Sequence, residues 1–129
     1  RPPAGAHEEA VSEYASHELI ALLGEHGFIA LAQAFGGTRL SIPQKIDQDH
    51  EIYEAVGERN AGRLADRYAG AQIRVPLARE RRARHYKAGG LSNAKIARKL
   101  GMSETGVEKL FARMDNPPEK GSAQLTLDI

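Results

Sequence analysis

Two rhythms of apolar positions run through the N-terminal half of the chain, and both return 33 residues later. Ala10, Tyr14, Leu19, Leu22 and Leu23 fall at roughly helical spacing and stop at Gly24. A shorter helix is predicted near residues 28–35, broken by Gly36-Gly37. Residues 38–42, Thr-Arg-Leu-Ser-Ile, then alternate polar and apolar side chains with the period of a half-buried strand. Pro43 ends that strand because it has no N–H to give to a ladder. The scheme recurs as a helix through residues 46–56, a second near 59–68, and a strand over 71–75.

Residues 19–43, LIALLGEHGFIALAQAFGGTRLSIP, align without a gap on residues 52–76, IYEAVGERNAGRLADRYAGAQIRVP. Gly24/Gly57, Glu25/Glu58, Leu31/Leu64, Ala32/Ala65, Gly37/Gly70 and Pro43/Pro76 are identical at this offset, and Leu23/Val56, Phe35/Tyr68, Leu40/Ile73 and Ile42/Val75 stay apolar or aromatic. One structural unit written twice is the expectation. Each short strand would leave a row of unpaired backbone groups, so each needs a partner. The simplest is the other copy, in an antiparallel ribbon using Leu40, Ile42, Gln72, Ile73 and Val75; strands of a second subunit are the rival.

The C-terminal rhythm differs. Pro76 is suited to the first turn of a helix over residues 77–86, stopped by Gly89-Gly90. Ser92 can cap a helix over 93–100, and Ser103 one over 104–114, across a turn at Gly101-Met102. Small Ala97 lies four residues before Gly101, where two helices must approach closely, and Val107 and Leu110 point back at Ile96, Ala97 and Leu100. The run IARKLGMSETGVEKLFARM therefore reads as a helix-turn-helix. The fold class expected is mainly α: a duplicated helix-helix-strand unit with a small antiparallel β-ribbon over residues 1–76, a helix-turn-helix region over 77–114, and a tail over 115–129. Residues 1–6 are expected to be loose, and residues 123–129 alternate like a strand at a terminus where disorder is the competing expectation.

Charge sharpens this division. Net charge is +1 over 129 residues, yet residues 1–76 hold 7 Lys/Arg against 11 Asp/Glu, residues 77–114 hold 10 against 3, and residues 115–129 hold 1 against 3. Local positive potential and counterion release, rather than whole-chain charge, set affinity for a polyanion, so the basic segment is the candidate phosphate-binding surface. A solvated basic helix is the plainer alternative. With the last helix in a major groove, Ser103, Glu104, Thr105, Glu108, Lys109 and Arg113 would face base edges or flanking phosphates. Arg79, Arg82, Lys95, Arg98 and Lys99 would make backbone contacts, which position without reading. Glu104 and Glu108 would repel phosphates, so they either accept from cytosine amino groups or orient neighbouring cations.

Other chemistries have weak support. Cysteine is absent, which excludes disulfides and thiolate metal sites. No phosphate-binding loop, Gly-x-Ser-x-Gly elbow or His-Glu-x-x-His helix is present. His7, His17, His26, His50 and His85 are dispersed, and Asp47, Asp49 and Glu51 read as charges complementing a helix N-terminus. No cofactor, metal or enzymatic activity is expected. A 33-residue period also suggests ankyrin arrays, but the Thr-Pro-Leu-His signature is missing. No apolar run is read as approaching the roughly 20 residues of a membrane span, and no secretory leader is read at the start, so a cytoplasmic location is expected.

Residues 69–114, AGAQIRVPLARERRARHYKAGGLSNAKIARKLGMSETGVEKLFARM, resemble the Mor family of phage transcription activators, named for the middle operon regulator of phage Mu. The resemblance implies a strand-centred dimer interface, two helix-turn-helix units on a dyad-related promoter site, recruitment of RNA polymerase, and a phage or prophage origin. It implicates residues 72–75 in dimerisation or near-DNA positioning and Ser103, Thr105, Lys109 and Arg113 in DNA contact. Copy one departs from the pattern: after Pro43 it leads directly into copy two. The function expected is a sequence-specific DNA-binding transcription regulator, dimeric because one helix-turn-helix rarely suffices alone. The competing class is an oligomeric structural or assembly protein, such as a phage component, using the helix-turn-helix for packing or non-specific DNA contact.

Overall fold

The structure, a computed structural model, describes residues 4–122, with side chains from residue 15 onward. The chain is mainly helical with one two-stranded antiparallel sheet, in the order α1 (Ala4–Phe35), β1 (Arg39–Ser41), α2 (Glu51–Tyr68), β2 (Gln72–Arg74), α3 (Arg79–Ala88), α4 (Asn93–Leu100) and α5 (Glu104–Ala112). It divides into two compact units, Arg1–Ala78 and Arg79–Ile129. The lead expected to be loose enters α1 at Ala4. The alternating tail over residues 123–129 and the side chains of Ala10 and Tyr14 lie outside the described residues.

In the first unit, α1 and α2 each break at a glycine 33 residues apart. Gly24 sits at φ 79°, ψ 169° and Gly57 at φ 86°, ψ 169°, a combination that a Cβ would oppose. The expected pairs of helices are thus joined end to end through a kink. α2 starts at Glu51 rather than at residue 46, because His50 caps it: its Nδ1 accepts from Ile52 N–H at 3.0 Å. Glu51 and Glu54 in the first turn and Arg67 in the last complement the helix dipole.

The strands pair with each other, in the register Arg39↔Arg74, Leu40↔Ile73, Ser41↔Gln72. Flanking hydrogen bonds also come in pairs offset by 33 residues. Gly37 N–H donates to Val75 C=O and Gly70 N–H to Ile42 C=O, both at 2.8 Å; Val75 N–H donates to Thr38 C=O and Ile42 N–H to Ala71 C=O, both at 2.9 Å. Leu19, Leu23, Phe28, Leu31 and Ala32 of α1 are buried, as are Ile52, Ala61 and Leu64 of α2 and Leu40, Ile42 and Val75 of the ribbon. Burying each of these side chains larger than alanine contributes roughly 1.5–3 kcal/mol before chain entropy is counted.

One expectation is corrected here. Ala15–Phe35 is 21 residues long with mean hydropathy 1.2, which by length and composition could cross a membrane. The segment carries Glu18 and Glu25 within this length. The break at Gly24 and the burial of one stripe of this helix fit a core helix packed on α2.

Candidate nucleic-acid interface

The second unit is three short helices around Ala83, Tyr86, Ile96, Ala97, Leu100, Val107 and Met114, all buried. Its helix boundaries are set by local chemistry. Ser92 Oγ accepts from Lys95 N–H at 3.3 Å and opens α4. Gly101 closes it in the left-handed region at φ 68°, ψ 37°, and Met102 N–H returns to Ala97 C=O at 2.9 Å. Ser103 Oγ accepts from Gly106 N–H at 2.9 Å and opens α5 two residues later. α3 begins at Arg79 rather than at residue 77, since Ala78 adopts φ 54°, and α5 ends at Ala112. Pro76 is buried in the first unit and lies outside the helix it was expected to start.

α5 presents the expected reading residues together. Glu104, Thr105, Glu108, Lys109 and Ala112 are exposed, at the spacing of a single helix face, and Ser103 and Arg113 flank them in the open. Val107 faces inward. Glu104 and Glu108 are four apart, as are Lys109 and Arg113, so like charges are neighbours where alternating ones would support an isolated helix. Glu104 in the first turn and Lys109 in the last do complement the helix dipole. Among the described residues, none of these four side chains makes an ion pair within 4.0 Å.

Of the five cations assigned to phosphate contacts, Arg79, Lys95, Arg98 and Lys99 are exposed. Lys99 Nζ also lies 5.4 Å from the Tyr86 ring centre. Arg82 is a correction: it is 4% exposed, its Nε donates to Tyr86 Oη at 3.2 Å, and its Nη2 donates to Lys99 C=O at 3.0 Å. Its guanidinium satisfies a C-terminal carbonyl of α4 and ties that helix to α3. Arg84 also serves structure, holding Asp115 C=O at 2.6 Å and Asn116 C=O at 3.0 Å after α5. Lys87 donates to Asn93 Oδ1 at 2.9 Å.

Arg81, exposed on α3, is a cation that the sequence reading passed over. Its signal is the pair Ala83 and Tyr86, whose apolar side of the helix lies opposite Arg81. Within the first unit, Arg39 and Arg74 of the ribbon line a shallow depression with Gln72 and Ile73. Among the described residues no three His, Cys, Asp or Glu side chains converge on a point where a metal ion could sit. No protein-family model, curated protein or solved structure matches this chain.

Proposed function

We propose that the protein is a sequence-specific DNA-binding regulator of transcription, of the Mor-like phage or prophage type, with α4 and α5 acting as a helix-turn-helix and α5 as the helix that enters the major groove. The single observation carrying this reading is the α4–Gly101–Ser103–α5 corner. A left-handed glycine and a capping serine two residues later hold a helix that exposes Glu104, Thr105, Glu108 and Lys109, in a segment with 10 basic and 3 acidic side chains. Lys109 and Arg113 would reach base edges or phosphates, Ser103 and Thr105 would meet the groove near the N-terminus of α5, and Lys95, Arg98 and Lys99 would hold the duplex backbone. We further propose that residues 19–43 and 52–76 are two copies of one unit, supported by the recurrence of the same broken helices, turns and hydrogen bonds at a 33-residue offset. Contact with RNA polymerase and a cytoplasmic site of action belong to the same proposal.

Fluorescence anisotropy with labelled duplexes tests it. Affinity should fall steeply as salt rises, and Lys109→Ala with Arg113→Ala should weaken binding while leaving the melting temperature unchanged. If that double variant bound every duplex as the parent does, α5 would not be the reading helix. A flat salt response would favour an assembly role for the same corner.

A further inference from the structure

We infer that the first unit is its own twofold partner, held in unlike pairing by Gly27 and Asn60, and that the chain therefore reads an asymmetric DNA site as a monomer with one reader. The DNA half of this inference rests on the function proposed above; the self-pairing half rests on geometry within the first unit.

In a twofold pair, a residue that faces its own equivalent lies on the axis. Leu40 is directly opposite Ile73, its equivalent 33 residues on, and Gly27 meets Asn60, also its equivalent. Between two identical one-unit chains the residues on the axis would be identical. Here they differ and fit: a Cβ at Gly27 would lie 2.6 Å from Asn60 Nδ2 and 3.0 Å from Leu23 Cβ. Asn60 Nδ2 also reaches Val56 C=O at 3.4 Å, while its Oδ1 is buried without a partner. A glycine opposite is what leaves room for this amide. Pairing copy one with copy one of a second chain, and copy two with copy two, would set glycine against glycine in one interface and asparagine against asparagine in the other. The first is hollow and the second overfilled.

A second asymmetry agrees. Glu18 accepts from Arg67 Nη2 at 3.0 Å and from Tyr68 Oη at 2.8 Å. The equivalents of those donors in copy one are Ala34 and Phe35, which offer none, so like pairing would strip Glu18 of both. The ribbon argues mildly the other way, because unlike pairing sets Arg39 directly against Arg74, whereas like pairing would set arginine against serine or glutamine. Both arginines are exposed and water screens them, while the overlap falls at Gly27, which is buried.

The surface that copy two would otherwise offer to a second chain is thus filled by copy one. Only copy two is followed by α3, α4 and α5, because after Pro43 the chain enters residues 44–50 and then α2. One scaffold carries one reader, in place of the dimer with two that the resemblance implies.

Analytical ultracentrifugation of the full chain, across a wide concentration range, should give a single species at the chain mass of 14.0 kDa. A species of twice that mass paired side by side would overturn the single-reader half, and one paired by exchange of copies would overturn the pairing within one chain as well. Melting temperatures of Gly27→Asn, Asn60→Gly and the reciprocal swap carrying both test the pairing itself. Gly27→Asn should melt well below the parent, and the swap should recover more than half of that loss. One glycine leaves a helix as another enters, so helix propensity nearly cancels in the swap. If Gly27→Asn does not fold, a folded swap still supports the pairing; a swap as damaged as the two single changes combined refutes it. Duplexes selected from a random pool should share one asymmetric motif, and a palindromic consensus would contradict the single reader. No enrichment at all would sink the DNA reading and the single-site half with it, leaving the self-pairing half to the mass and the swap.

Discussion

Replacing Arg82 with alanine separates structural from DNA-contacting cations in the second unit. The guanidinium gives up bonds to Tyr86 Oη and Lys99 C=O, at 3.2 and 3.0 Å, in a place where water cannot replace them. A hydrogen bond involving a charged group contributes about 1.5–3 kcal/mol, and the desolvation already borne by the buried charge offsets part of the total. A net loss of about 2–4 kcal/mol follows. At about 4–8 °C per kcal/mol for a small domain, the melting transition of this unit should fall by roughly 8–32 °C. Circular dichroism melts give that shift, and anisotropy well below the lowered transition gives DNA affinity at several salt concentrations. Arg82→Ala should keep the parent's slope of log affinity against log salt, whereas Arg98→Ala, which removes an exposed cation, should flatten it by about 0.9 for one lost phosphate contact. An unchanged melt with a flattened slope for Arg82→Ala would refute the structural assignment and return this residue to the DNA surface.

Gly101→Ala places a Cβ in the left-handed conformation at φ 68° and should destabilise the second unit by about 1–2 kcal/mol, read as a lower denaturant midpoint with an unchanged slope. Glu18 is held below the usual carboxylate range by the Tyr68 hydroxyl and then by Arg67, so its contribution is complete above roughly pH 4.3 and is lost as pH falls through the depressed value. Melts of parent and Glu18→Gln should therefore differ at neutral pH and converge in acid; a constant gap down to the acid limit would show that the carboxylate charge plays no part.

The parts of the fold that were legible in the sequence are those whose cause is local. Ser92, Gly101 and Ser103 fix the ends of α4 and the start of α5 through groups within a few residues of each cap, and both strands of the ribbon fall inside the segments whose side chains alternate. The start of α3 was misplaced because a proline at the first turn is only a permission. The extended chain leaving β2 keeps Val75 bonded to Thr38 and Gly37, and the helix waits until Arg79. α2 was begun too early because its cap is a histidine, a residue type that helix-start patterns do not anticipate.

Arg82 shows the limit more sharply. It stands beside Arg81 in a run of cations, and the acceptor that draws it inward is a carbonyl 17 residues away, fixed only once α4 has packed on α3. The ribbon left two arrangements open, and the unequal residues on its axis, glycine at 27 and asparagine at 60, had no meaning until the helices carrying them were seen to face each other.

Selection of bound duplexes from a random DNA pool, with the winner compared against scrambled duplex at low and high salt, tests the central claim most directly. The account predicts an enriched sequence bound more tightly than scrambled duplex, with both affinities falling as salt rises. A folded protein that enriches nothing and binds all duplexes alike would contradict it.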